Sequence, residues 1–380
     1  MKNLFFTFLF VALASMGCKK NPDAISSPPV NTKRDPKQWP FAQNSIWNMP
    51  IGSSAVYQPA YLLSVEEFST SPQYQRWVNQ HQSSIGYGGV GIDEEPIIFS
   101  AATDAFRTVC DIKEWAFRCG GTPTATKIRF PAGLTYQDPN GSIHTPNYSG
   151  ACIQTDGSVF HFNALVTCGT DKLGCYNYTS PENNTLTGEG KYGGHGGSGL
   201  SGIGGSIRKG ELLSNAPLRH ALKLNLLAAA YLVYNNDATP GYRWPADRSD
   251  GYANPAFEEW LAYGVANPNK TTATYMEMGV LLAIKPDVTA ASLGITNPLA
   301  LKIFQALKDY GAYIVDDTHW NHYDWCMEQG VYEEVQANMD AANYTTQMMR
   351  IFKNLNAITN NGPNSIGGGG SPRQPLAPPF

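Results

Sequence analysis

Charged side chains are scarce in this sequence. Asp, Glu, Lys and Arg make up 15% of the residues, and the formal net charge is −4. Proteins that bind nucleic acid or anionic membranes usually carry clustered Lys and Arg, and this chain has no such cluster. The composition therefore excludes a nucleic-acid footprint and a polybasic membrane patch.

Nucleotide-binding and serine-hydrolase motifs are also missing. Gly197 to Gly202 matches G-x-G-x-x-G, but the preceding segment is polar and no carboxylate lies near Leu222, about 20 positions further on. Lys209 is followed by Gly210 and Glu211, so it is not part of a Walker loop. No G-x-S-x-G elbow occurs in this region either.

The apolar run Leu4 to Ala14 is too short to span a bilayer. Lys2 precedes it, and a small residue stands directly before Cys18. Residues 1–17 resemble a bacterial lipoprotein signal peptide with Cys18 as the lipidated residue, although Ser15 stands where leucine is usual. We expect an outer-membrane lipoprotein, periplasmic or cell-surface. An ordinary secretory signal with an incidental Cys18 is the alternative.

Proline and glycine mark the ends of the folded region. Residues 19–37 are polar and proline-containing, which predicts an extended tether. Residues 360–380 contain the run Gly367 to Gly370 and several prolines, which predicts a disordered tail. Residues 38–358 are then a single β-rich catalytic or binding domain.

Beyond Cys18 there are six cysteines and no C-x-x-C pair, so disulfides are favoured over zinc. Sequence does not choose among the connectivities. Short loops favour Cys110 with Cys119 and Cys168 with Cys175, which leaves Cys152 with Cys326.

Short apolar or alternating runs separated by turn residues dominate residues 97–166. They predict a mainly β fold, a jelly-roll-like β-sandwich with a few peripheral helices. Helices are expected at Ser71–His81, from Asn297-Pro298 through Lys308, and at Glu333–Asn356, with a strand at Ala312–Asp316. The pattern of Leu218–Tyr234 fits either a strand or a helix.

The segment Gly188 to Gly210 holds 11 of the 37 glycines. Such density permits positive φ and close backbone approach. It predicts a rigid loop that presents His195, Ser198, Ser201 and Arg208. A structural connection between strands is the alternative.

Several segments together resemble a family of secreted bacterial proteins akin to jelly-roll, polysaccharide-active proteins. The resemblance covers most of residues 40–330 and implies exported carbohydrate chemistry, without assigning any residue a role. The segments are Tyr192-Gly-Gly-His-Gly-Gly-Ser-Gly-Leu-Ser, Ile207-Arg-Lys-Gly-Glu-Leu, Arg219-His-Ala-Leu-Lys, Arg243-Trp-Pro-Ala with Asp250-Gly, and Asp309-Tyr-Gly-Ala-Tyr-Ile-Val-Asp-Asp-Thr.

Aromatic residues make up 12% of the chain, which suits stacking on sugar rings, although most aromatic side chains fill cores. Glycan hydrolysis needs two carboxylates, whereas uronate β-elimination needs a base and a group that neutralises the sugar carboxylate. Both sets of residues occur. The catalytic candidates are His195, Asp317, Asp316, Glu277 and His220, with Asp156 and Asp250 as further carboxylates. The substrate-binding candidates are Arg208, Arg219, Arg243, Trp244, Tyr252 and Ser198.

The segment Asp316 to Asp324 contains three carboxylates and two histidines. A divalent metal near Asp317 and His319 is one interpretation, and a catalytic or hydrogen-bonding acid is the preferred one. No other cofactor and no defined metal ligands are expected.

The predicted function is an exported polysaccharide-degrading enzyme that cleaves glycosidic bonds by hydrolysis or by uronate β-elimination. The alternative is a non-catalytic surface glycan-binding lipoprotein. The expected partner is a polysaccharide or oligosaccharide, with membrane contact only through the lipid anchor.

Overall fold

The computed structural model describes residues 33–72, 74–75, 89–139, 147–179, 184–256, 260–341 and 343–380. The predicted signal peptide, Cys18, most of the tether and most of the helix expected at Ser71–His81 lie outside the described residues.

Among the described residues, regular secondary structure is mainly strand and the helices are few, which confirms the predicted β-rich class. Sixteen strands occur, and fifteen of them form sheets of seven, four and four strands. In chain order they are β1 (Tyr57–Pro59), β2 (Val90–Glu95), β3 (Ile97–Phe99), β4 (Phe106–Asp111), β5 (Thr122–Arg129), β6 (Gly150–Ile153), β7 (Val159–Asn163), β8 (Val166–Cys168), β9 (Lys172–Cys175), β10 (Asn177–Thr179), β11 (Tyr192–His195), β12 (Leu222–Leu226), β13 (Leu281–Ile284), β14 (Ala312–Asp317), β15 (Tyr323–Glu328) and β16 (Leu355–Ile358).

Five short α-helices accompany the strands in the described part of the chain, and none of them is both long and apolar enough to cross a bilayer. The predicted start at Asn297-Pro298 is confirmed, because the Asn297 side chain accepts hydrogen bonds from the backbone N–H groups of Leu299 and Ala300. The helices are α1 (Val65–Thr70), α2 (Ala228–Tyr231), α3 (Pro298–Asp309), α4 (Val331–Met339) and α5 (Tyr344–Phe352).

The seven-stranded sheet has the order β1-β16-β13-β14-β12-β15-β2. It is mixed, since β12 pairs in parallel with β14, and β15 in parallel with β2. One face packs against α3, α4 and α5 in the largest core cluster, to which β12 contributes Leu222, Leu224 and Leu226. The ambiguous segment Leu218–Tyr234 is therefore strand first and then one turn of helix.

The opposite face of the same sheet carries polar side chains. Side chains alternate along a strand, so Lys223 and Asn225 of β12 point away from the leucines. On the neighbouring strands, Asp93 is the register partner of Cys326. Residues 193–208 are continuously buried, and they cover this polar face.

The two four-stranded sheets have the orders β10-β7-β6-β3 and β5-β4-β9-β8. Their apolar side chains meet in one core cluster. Phe160 and Phe162 come from the first sheet, and Val109 and Leu173 come from the second. The other face of the first sheet contributes Ala151 and Val159 to a cluster shared with the seven-stranded sheet.

The single helix expected at Glu333–Asn356 is wrong. The chain forms α4, which ends at Met339, and α5, which begins at Tyr344, and Leu355 already belongs to β16. Asp340 follows α4 and Asn343 precedes α5, and both are weak helix formers. The chain after them forms a separate amphipathic helix.

Residues 360–380 are packed rather than disordered, so the predicted tail is wrong. The guanidinium of Arg34 donates to the carbonyls of Pro378 and Trp39, and it lies 4.0 Å from the centroid of the Phe380 ring. Residues 33–37 of the predicted tether therefore belong to the folded unit, which extends from Lys33 to Phe380.

The predicted disulfide pairing is also wrong. The structure has a Cys119–Cys168 bond, whereas Cys110, Cys152, Cys175 and Cys326 are free and buried. Strand pairing explains the error, because β4 and β9 run side by side and place Cys110 and Cys175 in the sheet rather than in short disulfide loops.

Candidate functional site

The sequence predicts that the glycine-rich segment presents side chains, but the structure buries them. His195, Ser198 and Ser201 are 0% exposed and Arg208 is 4% exposed. Ser198 bonds to the carbonyl of His195 with its hydroxyl, and so serves the loop itself. Because its glycines have no side chains, the segment allows other side chains to pack directly against its backbone.

Two carboxyl groups lie against the backbone of Gly196 and Gly197. A Cβ on Gly196 would lie 2.0 Å from Cγ of Asp316, and a Cβ on Gly197 would lie 2.3 Å from Oδ2 of Asp250. Real Cβ atoms do not approach so closely, and Gly196 also has φ +42°. These two glycines therefore allow Asp316 and Asp250 to meet at one dipeptide.

Asp316 and Asp317 end β14 on opposite sides, as expected for a strand. Oδ1 of Asp316 accepts from the backbone N–H of Gly197 at 3.0 Å. Asp317 accepts from the backbone N–H of Ala228 at 2.8 Å and of His319 at 3.1 Å. The hydroxyl of Tyr252 also donates to Asp317, at 3.1 Å.

The carboxyl groups of this cluster resist ionisation. Burial and then repulsion from Asp250 and Asp93 raise the pKa of Asp316 well above its usual value. Burial and the charge of Asp317 raise the pKa of Asp250 to about 7. We call Asp93, Asp250, Asp316 and Asp317 the carboxylate cluster. Such mutually shifted acids are typical of catalytic sites.

Aromatic side chains border the cluster. Tyr263 donates its hydroxyl to Oδ2 of Asp250 at 2.5 Å. The rings of Tyr252 and Trp260 meet the His319 ring edge-on, with centroids 6.1 and 5.5 Å away. His319 has φ +63°, a conformation unusual for a residue with a side chain. Tyrosine hydroxyls and ring faces thus lie beside the carboxyl groups.

His195 joins a buried ionic network instead of facing substrate. Its Nε2 lies 2.8 Å from Oε1 of Glu95. Oε1 also accepts from Lys223, and Oε2 of the same carboxylate accepts from Ser206. Burial and the charge of Lys223 lower the pKa of His195, while Glu95 offsets part of the effect. The ring is therefore neutral near pH 7.

One group of side chains has the spacing of metal ligands. Nε2 of His195, Sγ of Cys326 and a carboxylate oxygen of Asp93 all lie within 4.8 Å of one another. This triad differs from the predicted location near Asp317 and His319. Asp317 instead uses both oxygens for the hydrogen bonds described above.

Other predicted catalytic residues lie outside the cluster. His220 bonds to Glu211 at 3.3 Å. Burial disfavours its charged ring, but Glu211 more than offsets this and raises the pKa. Glu277 accepts from Asn235 at 2.8 Å, and burial raises its pKa to about 7. Asp156 caps its own exposed turn through Ser158.

The predicted anion-binding groups also make contacts elsewhere. Arg208 pairs with Glu328 at 2.9 Å. Arg243 donates to the backbone carbonyls of Tyr275 and Thr359 at 3.0 and 2.9 Å. Trp244 packs against the core cluster that contains Ala151 and Val159, and Arg219 is half-buried. Of the predicted binding residues, Tyr252 is the one with a described hydrogen bond to the carboxylate cluster.

The sequence analysis missed five residues of the site, which are Asp93, Glu95, Lys223, Tyr263 and Cys326. Asp93 and Glu95 are two positions apart, which places both on one face of an extended strand. That spacing was a usable signal. The pairing of β2 with β15, which adds Cys326, was not visible in the sequence.

Comparison of the chain with protein-family models, with curated proteins and with solved structures gives no match.

Proposed function

We propose that this protein is an exported glycoside hydrolase that cleaves polysaccharide, with Asp316 as the general acid and Asp250 as its ionised partner. The observation that carries the proposal is the contact of both carboxyl groups with Gly196–Gly197. Ionising one of two neighbouring carboxyl groups raises the pKa of the other, so one can stay protonated while its partner is ionised.

The chemistry follows from the different protonation states of the two groups. The acid form of Asp316 donates its proton to the glycosidic oxygen as the bond to the sugar breaks. Asp250, held by the Tyr263 hydroxyl, stabilises the oxocarbenium-like transition state with its negative charge and accepts a proton from the water that attacks the sugar carbon. Tyr252 orients the neighbouring carboxylate of Asp317.

Charge favours hydrolysis over uronate elimination. Within the described residues, no Lys or Arg forms an ion pair with Asp250, Asp316 or Asp317. A lyase must neutralise the carboxylate of its sugar, and this cluster would repel it. The proposed substrate is therefore a neutral or amino-sugar polysaccharide, which stacks on Tyr252 and Trp260.

We also propose that the protein is exported and that part of it is a β-sandwich. The Cys119–Cys168 bond supports an oxidising compartment, consistent with export and lipid anchoring through Cys18. The core shared by the two four-stranded sheets supports a β-sandwich beside the seven-stranded sheet.

A panel of neutral, amino-sugar and uronic polysaccharides tests the proposal. The purified protein should release reducing ends from neutral or amino-sugar chains without the ultraviolet absorbance of unsaturated uronates. New absorbance would replace the hydrolase with a lyase. Binding without any cleavage across the panel would favour a surface glycan-binding protein.

A further inference from the structure

We propose that Asp93, His195 and Cys326 bind one divalent transition-metal ion, with zinc the best match to the donors. One nitrogen, one thiolate and one carboxylate are ligands that Zn²⁺ uses in proteins. The proposal does not depend on glycan hydrolysis, because it concerns ion binding alone.

The distances fit a tetrahedral ion. Bonds of about 2.3 Å to sulfur and about 2.05 Å to nitrogen place those two atoms about 3.6 Å apart at the tetrahedral angle. The distance between Sγ of Cys326 and Nε2 of His195 is 3.6 Å. Oδ2 of Asp93 lies 3.8 Å from Nε2, a few tenths of an ångström longer than about 3.4 Å for bound oxygen.

Three different strands hold the ligands in place. Asp93 lies on β2, Cys326 on β15 and His195 at the end of β11, and Asp93 and Cys326 are register partners. Asn225 lies behind two of them. Its amide donates to Oδ2 of Asp93 at 2.9 Å, an outer contact of the kind usual at metal sites. Its Oδ1 accepts from the thiol of Cys326 at 3.4 Å, a bond that the thiol gives up when it loses its proton to bind the ion.

The local charges balance when a divalent cation is present. Lys223 and Glu95 form a fully buried ion pair that cancels. His195 coordinates through Nε2 as a neutral ring, so the Nε2 proton moves to Nδ1 and the contact of Nε2 with Glu95 is given up. Cys326 releases its thiol proton to solvent on binding. The carboxylate of Asp93 and the thiolate of Cys326 then supply two negative charges.

The site has an entry path and a vacant ligand position. The Asp93 side chain is 27% exposed, whereas the His195 and Glu95 side chains are fully buried. Three protein ligands leave the fourth position of a tetrahedral ion for water or a substrate atom, as in catalytic zinc sites.

Metal titration of the full chain tests the proposal. The protein is stripped with a chelator and titrated with Zn²⁺ against a chromophoric competitor, and with Co²⁺ as a spectroscopic probe. We expect one ion per chain with a Kd below about 1 μM, and a thiolate-to-cobalt charge-transfer band.

Isosteric variants identify the ligands. Cys326→Ser should remove the charge-transfer band and weaken zinc binding by at least about 100-fold, and Asp93→Asn should weaken it by about 10-fold or more. Cys175→Ser, at another buried free thiol, is the matched control and should leave both unchanged. If Cys326→Ser does not fold, the Asp93→Asn variant, at a partly exposed position, tests whether these residues bind the ion. Absence of a saturable site, or an unchanged cobalt spectrum in the ligand variants, overturns the proposal.

Discussion

Replacing Gly197 with alanine should displace the Asp250 carboxyl group with little effect on the backbone. Gly197 does not have a positive φ, so alanine can adopt its conformation. The new Cβ, however, would lie 2.3 Å from Oδ2 of Asp250. The clash falls on the end of a side chain, which can rotate away, rather than on backbone.

The size of the effect follows from that distance. The carboxyl oxygen must move by about 1 Å to reach van der Waals separation. A 1 Å error in the position of a catalytic group can cost about 100-fold in rate. We therefore expect Gly197→Ala to lose about 100-fold in kcat while unfolding in urea within about 1 kcal/mol of wild type.

Gly210→Ala is the matched control for this test. Gly210 closes the same glycine-rich segment and has φ +77°, but a Cβ there meets nothing within 4 Å. This variant should lose about 1 kcal/mol of stability from backbone strain and keep its activity. Equal activities for the two variants would refute the catalytic placement of Asp250. Assays of hydrolysis and urea unfolding on the same preparations separate the two effects.

Three further predictions concern stability. The raised pKa of Glu277, about 7 against 4.5, means that the folded state binds its proton more tightly, so stability is lost as pH rises from about 4.5 to 7. Between pH 5 and pH 8, the free energy of unfolding in urea should fall by about 1 to 2 kcal/mol more in wild type than in Glu277→Gln, since partial solvent contact screens the effect, and an equal fall in both proteins would contradict this. The Cys119–Cys168 bond joins residues 49 positions apart, so its reduction should cost about 4 kcal/mol in guanidinium unfolding, and no shift would contradict an entropic role. Arg34→Met should lower stability by about 3 kcal/mol and expose the C-terminal residues to carboxypeptidase, whereas intact protease resistance would show that Arg34 does not hold them.

Local signals in the sequence were sufficient for some elements. Asn297-Pro298 predicted α3 because a cap and a first-turn proline act within a few residues. The strand ending at Asp316 was predicted for the same kind of reason, from a β-branched run after Gly311. The strand-rich class followed from short apolar or alternating runs separated by turn residues.

The candidate site depended on pairings between distant segments. The flanking glycines predict an exposed His195, yet β2 and β15 place Glu95 and Cys326 around it. Glycines do not shield a neighbouring side chain, but they also permit other segments to pack closely against it. The flanking residues alone therefore could not determine whether His195 is buried. The predicted disulfide pairing was wrong for the same reason, since Cys119 and Cys168 are 49 positions apart and meet only in the folded chain.

The hydrolase account is tested most directly by comparing Asp316→Asn with Glu277→Gln on the best polysaccharide of the panel. Both residues are buried acids with raised pKa values, but only Asp316 belongs to the carboxylate cluster. Release of reducing ends should fall by at least about 1,000-fold in Asp316→Asn and stay near wild type in Glu277→Gln. Full activity in Asp316→Asn would contradict the assignment of the general acid.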